Sequence, residues 1–466
     1  MPRKPLRSAS RFIQFVTKLF HISPTSRDIF VRGKIENRIR GTMRNKKPFV
    51  IAAIVIILAA VAFACYELLI VKRGWVKTDA GTYYYDNSGK AYSGLCNMPD
   101  GTMRYFDPAT NLMVTGEATI EGNRYLFDGE GVMLYGLQKS GASSRFYDPS
   151  TGIMQTGWID YEGSKLYFNE ESGEEAFGLT AIGGLQYYFD TETGLMKTGD
   201  MEINGDKYSF DATTGAGLDG FFTTDGVKRA YIGGKMLVGV RAYADNHLYY
   251  FGDDGAVVRE IDGNKPMVAL TYDDGPSKYT DSIIDTFEEY GAKCTFFIVG
   301  DRISWNEEVA IREAELGYQQ ANHTYSHNRL TDLDADGMKE KLKGTDDELI
   351  RISGKPSTCL RPPEGKWNET LQSVCECPII LWSIDSRDWD SKNADKICNR
   401  VIGKVQDGDI VLMHDLYQST ADATKRIVPA LIEDGFQLVT VEEMGILKTG
   451  GVGLENGVVY YSIPNR

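Results

Sequence analysis

The sequence predicts a multidomain protein in which a transmembrane helix precedes an all-β solenoid of hairpin repeats and then an α/β domain. Three observations predict this order: one long apolar run, an aromatic pattern recurring about every 21 residues, and a C-terminal alternation of short apolar runs with amphipathic stretches. A chain of 466 residues has room for two or three domains with separate cores. The predicted segments are residues 1–47, 48–71, 75–257, 265–445 and a C-terminal tail, 446–466.

The apolar run at residues 48–71 contains a single charge, Glu67. About 20 apolar residues suffice for a helix to cross a bilayer, whereas a buried core helix usually keeps a polar face. Seven Lys and Arg lie in the 20 residues before the run and four in the 20 after it. The positive-inside rule therefore predicts a single-pass membrane protein with residues 1–47 as a basic cytoplasmic tail and the remainder outside.

The net charge of −14 is unevenly distributed along the chain. Residues 1–47 contain 13 Lys and Arg against two acidic residues, whereas the remainder contains 38 basic and 63 acidic residues. An acidic body argues against a nucleic-acid partner, because phosphates are held by clustered basic side chains. A basic tail before an apolar run fits the orientation of a membrane protein instead.

The seven cysteines are too sparse for a fold built on disulfides. Five of them fall in the predicted α/β domain. The pair Cys375-Glu-Cys377 lacks the two-residue gap of the common zinc and redox motifs. We expect packing roles or one or two disulfides, without assigning a pairing.

Residues 75–257 consist of repeats of about 21 residues. Each repeat has a glycine, an aromatic strand, an Asp-x-x-x-Gly turn and a further apolar residue, as in residues 187–199. About 21 residues make one β-hairpin, and a single hairpin cannot bury its aromatic face alone. About nine stacked units are therefore predicted to form a solenoid. Aromatic rings between adjacent hairpins would make shallow pockets for sugar rings or quaternary amines.

These repeats resemble the cell-wall-binding repeats of Gram-positive surface proteins, of the choline-binding and glucan-binding type. The choline-binding version usually opens each unit with Gly-Trp, and here only Gly74-Trp75 and Gly157-Trp158 do so. The resemblance implies a wall polymer or another glycan as the partner of the repeats. Choline and a pure spacer role remain open alternatives.

From about residue 265 the pattern predicts strands alternating with helices, which is typical of a parallel α/β sheet or barrel. The predicted strands are Met267–Tyr272, Cys294–Val299, Tyr318–Asn322, Thr358–Arg361, Ile379–Ile384, Asp409–Met413 and Phe436–Val439. Polar motifs follow several of these strands, at the end where α/β barrels carry their active sites. The motifs are Thr271–Pro276, His323–His327, Arg361–Pro363, Asp385–Trp389 and Leu412–Asp415.

Together the motifs supply what a metal-assisted hydrolase needs. They contain carboxylate and imidazole ligands, a spare carboxylate for a base, a separate histidine for an acid, and charged partners to orient them. Three of the five histidines of the chain lie inside them. His21 and His247 are predicted to be ordinary surface or packing residues.

The five motifs, in this order, resemble those of the polysaccharide deacetylases, carbohydrate esterase family 4, which share the NodB-homology domain. The resemblance covers residues 265–445 and implies a distorted (β/α)7-type barrel. It implies that Asp274, His323 and His327 bind one divalent metal ion, with Zn²⁺ expected and Co²⁺ or Ni²⁺ as alternatives.

The resemblance also implies roles for the remaining motif residues. Asp273 would be the catalytic base and Arg361 its charged partner. His414 would be the acid that protonates the leaving amine, with Asp388 holding its proton. The pocket for the acetyl methyl group would be lined by Trp389 and Leu412.

Glu364 departs from the family pattern. The family usually has tyrosine or glycine at this position, whose backbone N–H helps to form the oxyanion hole. A backbone donor survives a change of side chain, so catalysis is expected to persist. A glutamate beside the substrate cleft is expected to alter glycan preference.

The sequence therefore predicts an N-deacetylase in the cell membrane, with its catalytic domain facing the cell wall. The predicted substrate is N-acetylglucosamine in peptidoglycan, which would release acetate. Another N-acetylated surface glycan, chitin oligomers or O-acetyl xylan are alternatives, because the motifs do not separate amides from esters. A wall-binding scaffold or adhesin with an inactive domain is an alternative of a different class.

Overall fold

A computed structural model of the chain describes residues 47–69, 71–140 and 143–464. The chain divides into two compact units. One contains the residues up to 161 together with 167–175, and the other contains residues 162–166 and 176–466. The predicted basic tail at residues 1–47 lies almost entirely outside the described residues. The predicted domain boundaries stay predictions.

The apolar run forms helix α1, Lys47–Leu69. Within the described part of the chain, no helix has both the length and the apolar character needed to cross a membrane. The predictions of a transmembrane helix and of a single-pass membrane location are therefore wrong.

The repeats form short antiparallel strands. In the first unit these are β1 (Gly74–Thr78), β2 (Gly81–Tyr85), β3 (Gly94–Asn97), β4 (Met103–Phe106), β5 (Gly116–Ile120), β6 (Asn123–Phe127), β7 (Gly136–Ser140), β8 (Ser143–Tyr147), β9 (Met154–Gln155) and β10 (Gly157–Tyr161). Strand β11 (Ser164–Phe168) crosses the division between the units.

The repeats of the second unit continue the pattern. Their strands are β12 (Gly178–Ile182), β13 (Leu185–Phe189), β14 (Met196–Lys197), β15 (Gly199–Ile203), β16 (Asp206–Phe210), β17 (Gly220–Thr224), β18 (Val227–Ile232), β19 (Lys235–Met236), β20 (Arg241–Ala244), β21 (His247–Phe251) and β22 (Val257–Asp262).

Most hairpins share one register, in which the opening glycine pairs with an aromatic residue at the end of the next strand. Gly116 pairs with Phe127 and Gly199 with Phe210, and both phenylalanines are buried. The following aspartate closes the turn: the Asp211 carboxylate accepts hydrogen bonds from the backbone N–H groups of residues 213 and 214. One repeat of about 21 residues therefore corresponds to one hairpin, with a buried aromatic ring and a turn closed by aspartate.

The rest of the second unit is an α/β region built from short parallel strands. Its strands are β23 (Met267–Asp273), β24 (Thr295–Ile298), β25 (Gln319–Asn322), β26 (Ile379–Ile380), β27 (Ile384–Asp385), β28 (Ile410–His414), β29 (Gln437–Leu438) and β30 (Val459–Tyr460). Its helices are α2 (Thr280–Glu289), α3 (Glu307–Glu315), α4 (Ala335–Ser353), α5 (Glu369–Val374), α6 (Asp388–Ser391), α7 (Ala394–Val401), α8 (Gln418–Glu433) and α9 (Val441–Lys448).

The central sheet has the order β25-β24-β23-β28-β27, with all pairs parallel, and β29 pairs with the start of β23. Strand β23 lies at its centre, and all seven of its residues are buried. The predicted strand at Thr358–Arg361 is reduced to Leu360, which bridges Asn322 and Ile379. Two prolines follow Arg361 and have no N–H to extend the ladder.

The last hairpin of the repeats, β20 to β22, packs on the α/β region. Leu248 and Ile261 share a buried cluster with Met444 of α9. The Glu443 carboxylate caps α9, pairs with the Arg259 guanidinium and accepts a 2.6 Å hydrogen bond from the Tyr250 hydroxyl. Because the Glu443 side chain is 4% exposed, its charge depends on these partners. The hairpin is therefore part of the same packed unit.

We expect Glu443→Gln to lower the unfolding free energy of the second unit by about 3 kcal/mol, because it leaves the Arg259 charge without its carboxylate. The adjacent Glu442 is the matched control: it pairs with Arg241, and both side chains are at least 30% exposed. Glu442→Gln should change the unfolding free energy by less than about 1 kcal/mol. Urea unfolding followed by tryptophan fluorescence measures both. Equal changes in unfolding free energy for the two variants would contradict the prediction that the buried Arg259–Glu443 pair contributes more to stability than the exposed pair.

Candidate active site

Asp273 lies at the carboxyl end of the central strand β23, directly beside the end of β28. The strand register pairs Asp273 with His414 and, on the other side, with Phe297. The Asp273 side chain is 4% exposed and its Oδ1 accepts a 2.6 Å hydrogen bond from Arg361. A buried carboxylate needs a charged hydrogen-bond partner of this kind to offset the loss of its hydration.

The Arg361 guanidinium is fully buried and directed by four further groups. It donates to the Thr271 hydroxyl at 2.7 Å and to the carbonyl oxygens of residues 380 and 381 at 3.2 and 2.9 Å. It also lies over the Phe297 ring, 4.0 Å from the centroid. Arg361 therefore has one orientation available, and this orientation directs Asp273.

The second aspartate of the motif, Asp274, joins two histidines in a compact cluster. One ligand atom from each of Asp274, His323 and His327 lies within 4.8 Å of the others. Asp274 Oδ1 is 3.7 Å from His323 Nε2 and 3.3 Å from His327 Nε2. Both Asp274 and His327 have positive φ, of 77° and 53°, which are conformations that non-glycine residues adopt mainly at constrained sites.

The His323 ring is oriented by the Arg361 segment. Its Nδ1–H donates a 2.7 Å hydrogen bond to the Arg361 carbonyl oxygen, which leaves Nε2 as the lone-pair nitrogen directed at Asp274. Burial lowers the pKa of His323 below its ordinary value, so the imidazole is neutral at pH 7. A neutral imidazole whose other nitrogen is hydrogen-bonded to a carbonyl is the usual form of a histidine metal ligand.

The three residues fit a divalent cation. Asp274 Oδ1 is buried and has no hydrogen-bond partner among the residues that the structure describes. Burial raises the pKa of the Asp274 carboxyl, but the imidazoles of His323, His327 and His414, together with Arg302, outweigh burial and bring the pKa below its usual range. An ionised, unpartnered oxygen between two imidazole nitrogens is a donor set that metal ions such as zinc prefer.

His414 and Asp388 form the second titratable pair of the site. His414 Nδ1 lies 2.8 Å from Asp388 Oδ1, and the His414 backbone N–H donates to Asp388 Oδ2 at 2.6 Å. The fully buried Asp388 also accepts hydrogen bonds from the Thr420 hydroxyl and the residue 389 backbone N–H. Burial by itself lowers the pKa of His414, but the Asp388 hydrogen bond and charge, with Asp273 and Asp274, raise it to about 9.

The remaining predicted site residues lie on the flanking segments. Leu412 is buried on β28, and Trp389 is 47% exposed at the start of α6. Glu364 has a φ of 58° in a short 3₁₀ turn after Pro363, and its carboxylate pairs with Arg329 at 2.5 Å. The pairing with Arg329 was not evident from the sequence. The contacts of these side chains with a substrate stay predictions.

Asp415 follows His414 in the chain, and the motif pattern by itself predicts no role for its side chain. Burial raises the pKa of its carboxyl to about 7. Its Oδ2 accepts a hydrogen bond from the Thr280 hydroxyl, and its backbone N–H donates to the Asp273 carbonyl oxygen at 3.3 Å. A Cβ added to Gly275 would collide with the Asp415 carboxylate. The Asp-Asp-Gly sequence is therefore needed partly because glycine leaves room for this buried acid.

A parallel α/β sheet with such a cluster at the carboxyl ends of its strands defines a class, the metal-dependent hydrolases. Comparison with known proteins identifies two sequence families that match parts of this chain. The family model described as Polysaccharide deacetylase matches residues 260–377, and the model described as Putative cell wall binding repeat matches residues 74–91.

Three relatives are bacterial peptidoglycan deacetylases. The peptidoglycan-N-acetylmuramic acid deacetylase PdaC of Bacillus subtilis (strain 168) is 36% identical over 189 residues, 40% of each chain. The peptidoglycan-N-acetylglucosamine deacetylase PgdA of Listeria monocytogenes serotype 1/2a (strain 10403S) is 34% identical over 178 residues, 38% of each chain. A peptidoglycan-N-acetylglucosamine deacetylase of Bacillus cereus is 34% identical over 193 residues, 39% of this chain and 69% of that protein.

The chain belongs to the polysaccharide deacetylase family, and the resemblance stated from its motifs is confirmed. It matches 40% and 38% of the length of the first two relatives.

Proposed function

We propose that this protein is a metal-dependent N-deacetylase of peptidoglycan that hydrolyses the acetamide of N-acetylglucosamine to acetate and a free amine. One observation carries the proposal. The register of β23 and β28 places Asp273 beside His414, while Asp274 of the same motif joins the histidine cluster. The candidate base, acid and metal ligands therefore meet at the carboxyl ends of these strands.

Each residue has a distinct role in the proposed reaction. When bound, a divalent cation supplies Lewis acidity toward the acetamide carbonyl and the attacking water. Asp273 accepts a proton from that water, and Arg361 orients its carboxylate through the ion pair. His414 donates a proton to the leaving amine nitrogen, and Asp388 keeps the imidazole protonated and oriented. Asp274, His323 and His327 would hold the cation. Two imidazoles with one carboxylate favour Zn²⁺, with Co²⁺ and Ni²⁺ as alternatives.

Acetate release tests the function. The full chain, loaded with Zn²⁺, is incubated with purified peptidoglycan, with chitin oligomers and with acetylated xylan. Release from peptidoglycan, together with new amines on glucosamine units, is the expected result. New amines on muramic acid units alone would contradict the proposed sugar, and release from chitin oligomers or xylan alone would contradict the proposed polymer. No acetate from any substrate by metal-loaded protein would favour the scaffold alternative.

The raised pKa of His414 predicts the alkaline limit of activity. Its protonated form is present below about pH 9 and is lost above it, so kcat/KM should fall as the pH rises through about 9. Asp388→Asn removes the charge that raises this pKa and should move the alkaline limit down by about one to two pH units. Asp395→Asn is the matched control, because Asp395 pairs with Arg426 in an exposed ion pair. An unchanged alkaline limit in Asp388→Asn would show that His414 is not the titrating acid.

We propose that the repeats bind a glycan or wall polymer rather than choline. Trp75, Tyr84 and Tyr92 form an aromatic group, with successive ring centroids 4.8 Å apart. The Arg104 guanidinium already lies over the Trp75 ring, 5.0 Å from its centroid. A cationic ligand would have to displace this guanidinium, whereas a sugar ring can stack beside it.

Wall sedimentation tests the proposed ligand of the repeats. The full chain carrying Asp273→Asn is sedimented with purified walls, with and without choline as competitor. Binding that resists choline and weakens in a Trp75→Ala version is expected. Elution by choline would contradict the proposal.

A further inference from the structure

Cys375 and Cys377 bring two thiols together in the α/β region. Cys375 ends helix α5 and is 6% exposed, and Cys377 follows after a bend. Both are free, and their Sγ atoms lie 3.5 Å apart. A disulfide requires about 2.05 Å between the sulfur atoms. The two sulfur atoms therefore have to come about 1.5 Å closer to form the bond.

A cavity of about 690 Å³ lies beside this pair and has both cysteines in its lining. A volume of this size is in the range of small-molecule pockets, so a small reagent has a route to the sulfur atoms. Acidic side chains outnumber basic ones around the cavity. The lining includes Asp336, Glu340, Asp346 and Glu376 against Lys339 and Lys343. This balance favours a neutral or cationic reagent over an anionic one.

The Cys375 thiol differs in reactivity from the Cys377 thiol, whose pKa is raised by the hydrogen bond to Cys375 and by burial, and from the buried cysteines nearby. The hydrogen bond from the Cys377 thiol lowers the pKa of the Cys375 thiol below its usual range. Burial instead raises the pKa of the Cys359 and Cys294 thiols. Because the thiolate is the nucleophile in disulfide exchange, Cys375 is the better attacking group.

We propose that Cys375 and Cys377 are a redox modification site that closes reversibly to an intrapair disulfide by exchange with a small-molecule disulfide. The Cys375 thiolate attacks one sulfur of the reagent, forms a mixed disulfide and releases one thiolate. The Cys377 thiol then loses its proton to solvent and attacks the Cys375 sulfur, which releases the second half of the reagent as a thiol. Two electrons pass from the cysteines to the reagent, which leaves as two thiols.

Closure of this disulfide acts on the segment that holds Arg361. The Leu360 backbone N–H donates to the carbonyl oxygen of Pro378, the residue after Cys377, at 2.9 Å. Ile380 N–H donates to the Leu360 carbonyl oxygen at 2.7 Å, and the Ile380 carbonyl oxygen accepts from the Arg361 guanidinium. A shift at residue 377 is therefore passed to Arg361, the partner of Asp273. This consequence rests on the proposed deacetylase function, and we expect the closed form to release acetate at least threefold more slowly.

Cystamine, a small cationic disulfide, is the probe. The reduced full chain is treated with cystamine, desalted and digested without reductant. The mass of the peptide containing residues 375–377 is then measured by mass spectrometry. A mass lower by two hydrogen atoms, restored by dithiothreitol, is expected. Cys377→Ser should stop at the cysteamine adduct on Cys375, and Cys375→Ser should lose most of the reaction. Cys96→Ser is the matched control, because Cys96 is a partly exposed single cysteine in the repeats. In this variant the Cys375–Cys377 disulfide should form to the same extent as in the unmodified chain.

The outcomes separate the two parts of the inference. A peptide with two free thiols, or with two cysteamine adducts, after treatment would overturn the modification site. Closure with equal acetate release from the open and closed forms would overturn the effect on Arg361. A reduced chain that releases no acetate from any substrate would count against the deacetylase function, while the peptide mass would still decide whether the disulfide forms.

Discussion

Asp273→Asn is expected to lower kcat by about 10²–10⁴-fold, the range that a positioned general base contributes. Asparagine keeps the size of the side chain and one oxygen for the Arg361 hydrogen bond. It cannot accept the proton of the attacking water. KM should change little, since no group that binds the sugar is removed. Acetate release from peptidoglycan by the Zn²⁺-loaded variant measures the effect.

The interpretation of Asp273→Asn depends on an intact fold and metal site. The change leaves the buried Arg361 charge without its carboxylate, so thermal stability should fall, and activity must be measured well below the unfolding temperature. Bound metal should stay near that of the unmodified chain, because the cluster uses Asp274 and not Asp273. Full activity with normal metal content would assign the base to another residue.

His323→Gln is expected to weaken metal binding by at least about 100-fold and to abolish acetate release at ordinary metal concentrations. Loss of outer partners of a ligand alone costs about 10–100-fold in affinity, and this change removes the ligand itself. Glutamine offers no imidazole Nε2 to the cluster. Metal content of the dialysed protein, measured by elemental analysis, reports the loss without reference to activity.

The matched control for this change is His247→Gln in the repeats. His247 is part of hairpin β20–β22, outside the described metal cluster. This variant should retain both metal and activity. In the unmodified chain, a chelator should remove activity and added Zn²⁺ should restore it. Normal metal content in His323→Gln would show that the cation is held elsewhere.

The architecture of the repeats could be read from the sequence because it is local. Each hairpin is closed by a turn within about 21 residues, and the register from Gly199 to Phe210 follows from the turn between them. The α/β region was also recognisable, because the strand positions follow from short apolar runs. The strand predicted at Thr358–Arg361 shrank to Leu360, since strand length depends on neighbours that the pattern does not contain.

The apolar run shows that apolar composition alone is not enough to predict a membrane span. Residues 48–71 predicted a membrane span from composition alone. The structure forms a helix there, but no described helix meets the length and apolarity needed to cross a membrane.

The sequence by itself determined the repeats and the α/β region, and it predicted the residues of the candidate site, because each motif is short and follows its own strand. Tertiary structure alone decided how those motifs meet. Parallel pairing brings Asp273 beside His414, 141 positions later in the chain, and the folded core encloses the Arg361 charge. Tertiary structure also decided the burial of Asp415, the contact of the Cys375 and Cys377 sulfur atoms, and the ion pair of Arg259 with Glu443. These contacts join segments or side chains through packing, and packing depends on the whole fold rather than on any local pattern.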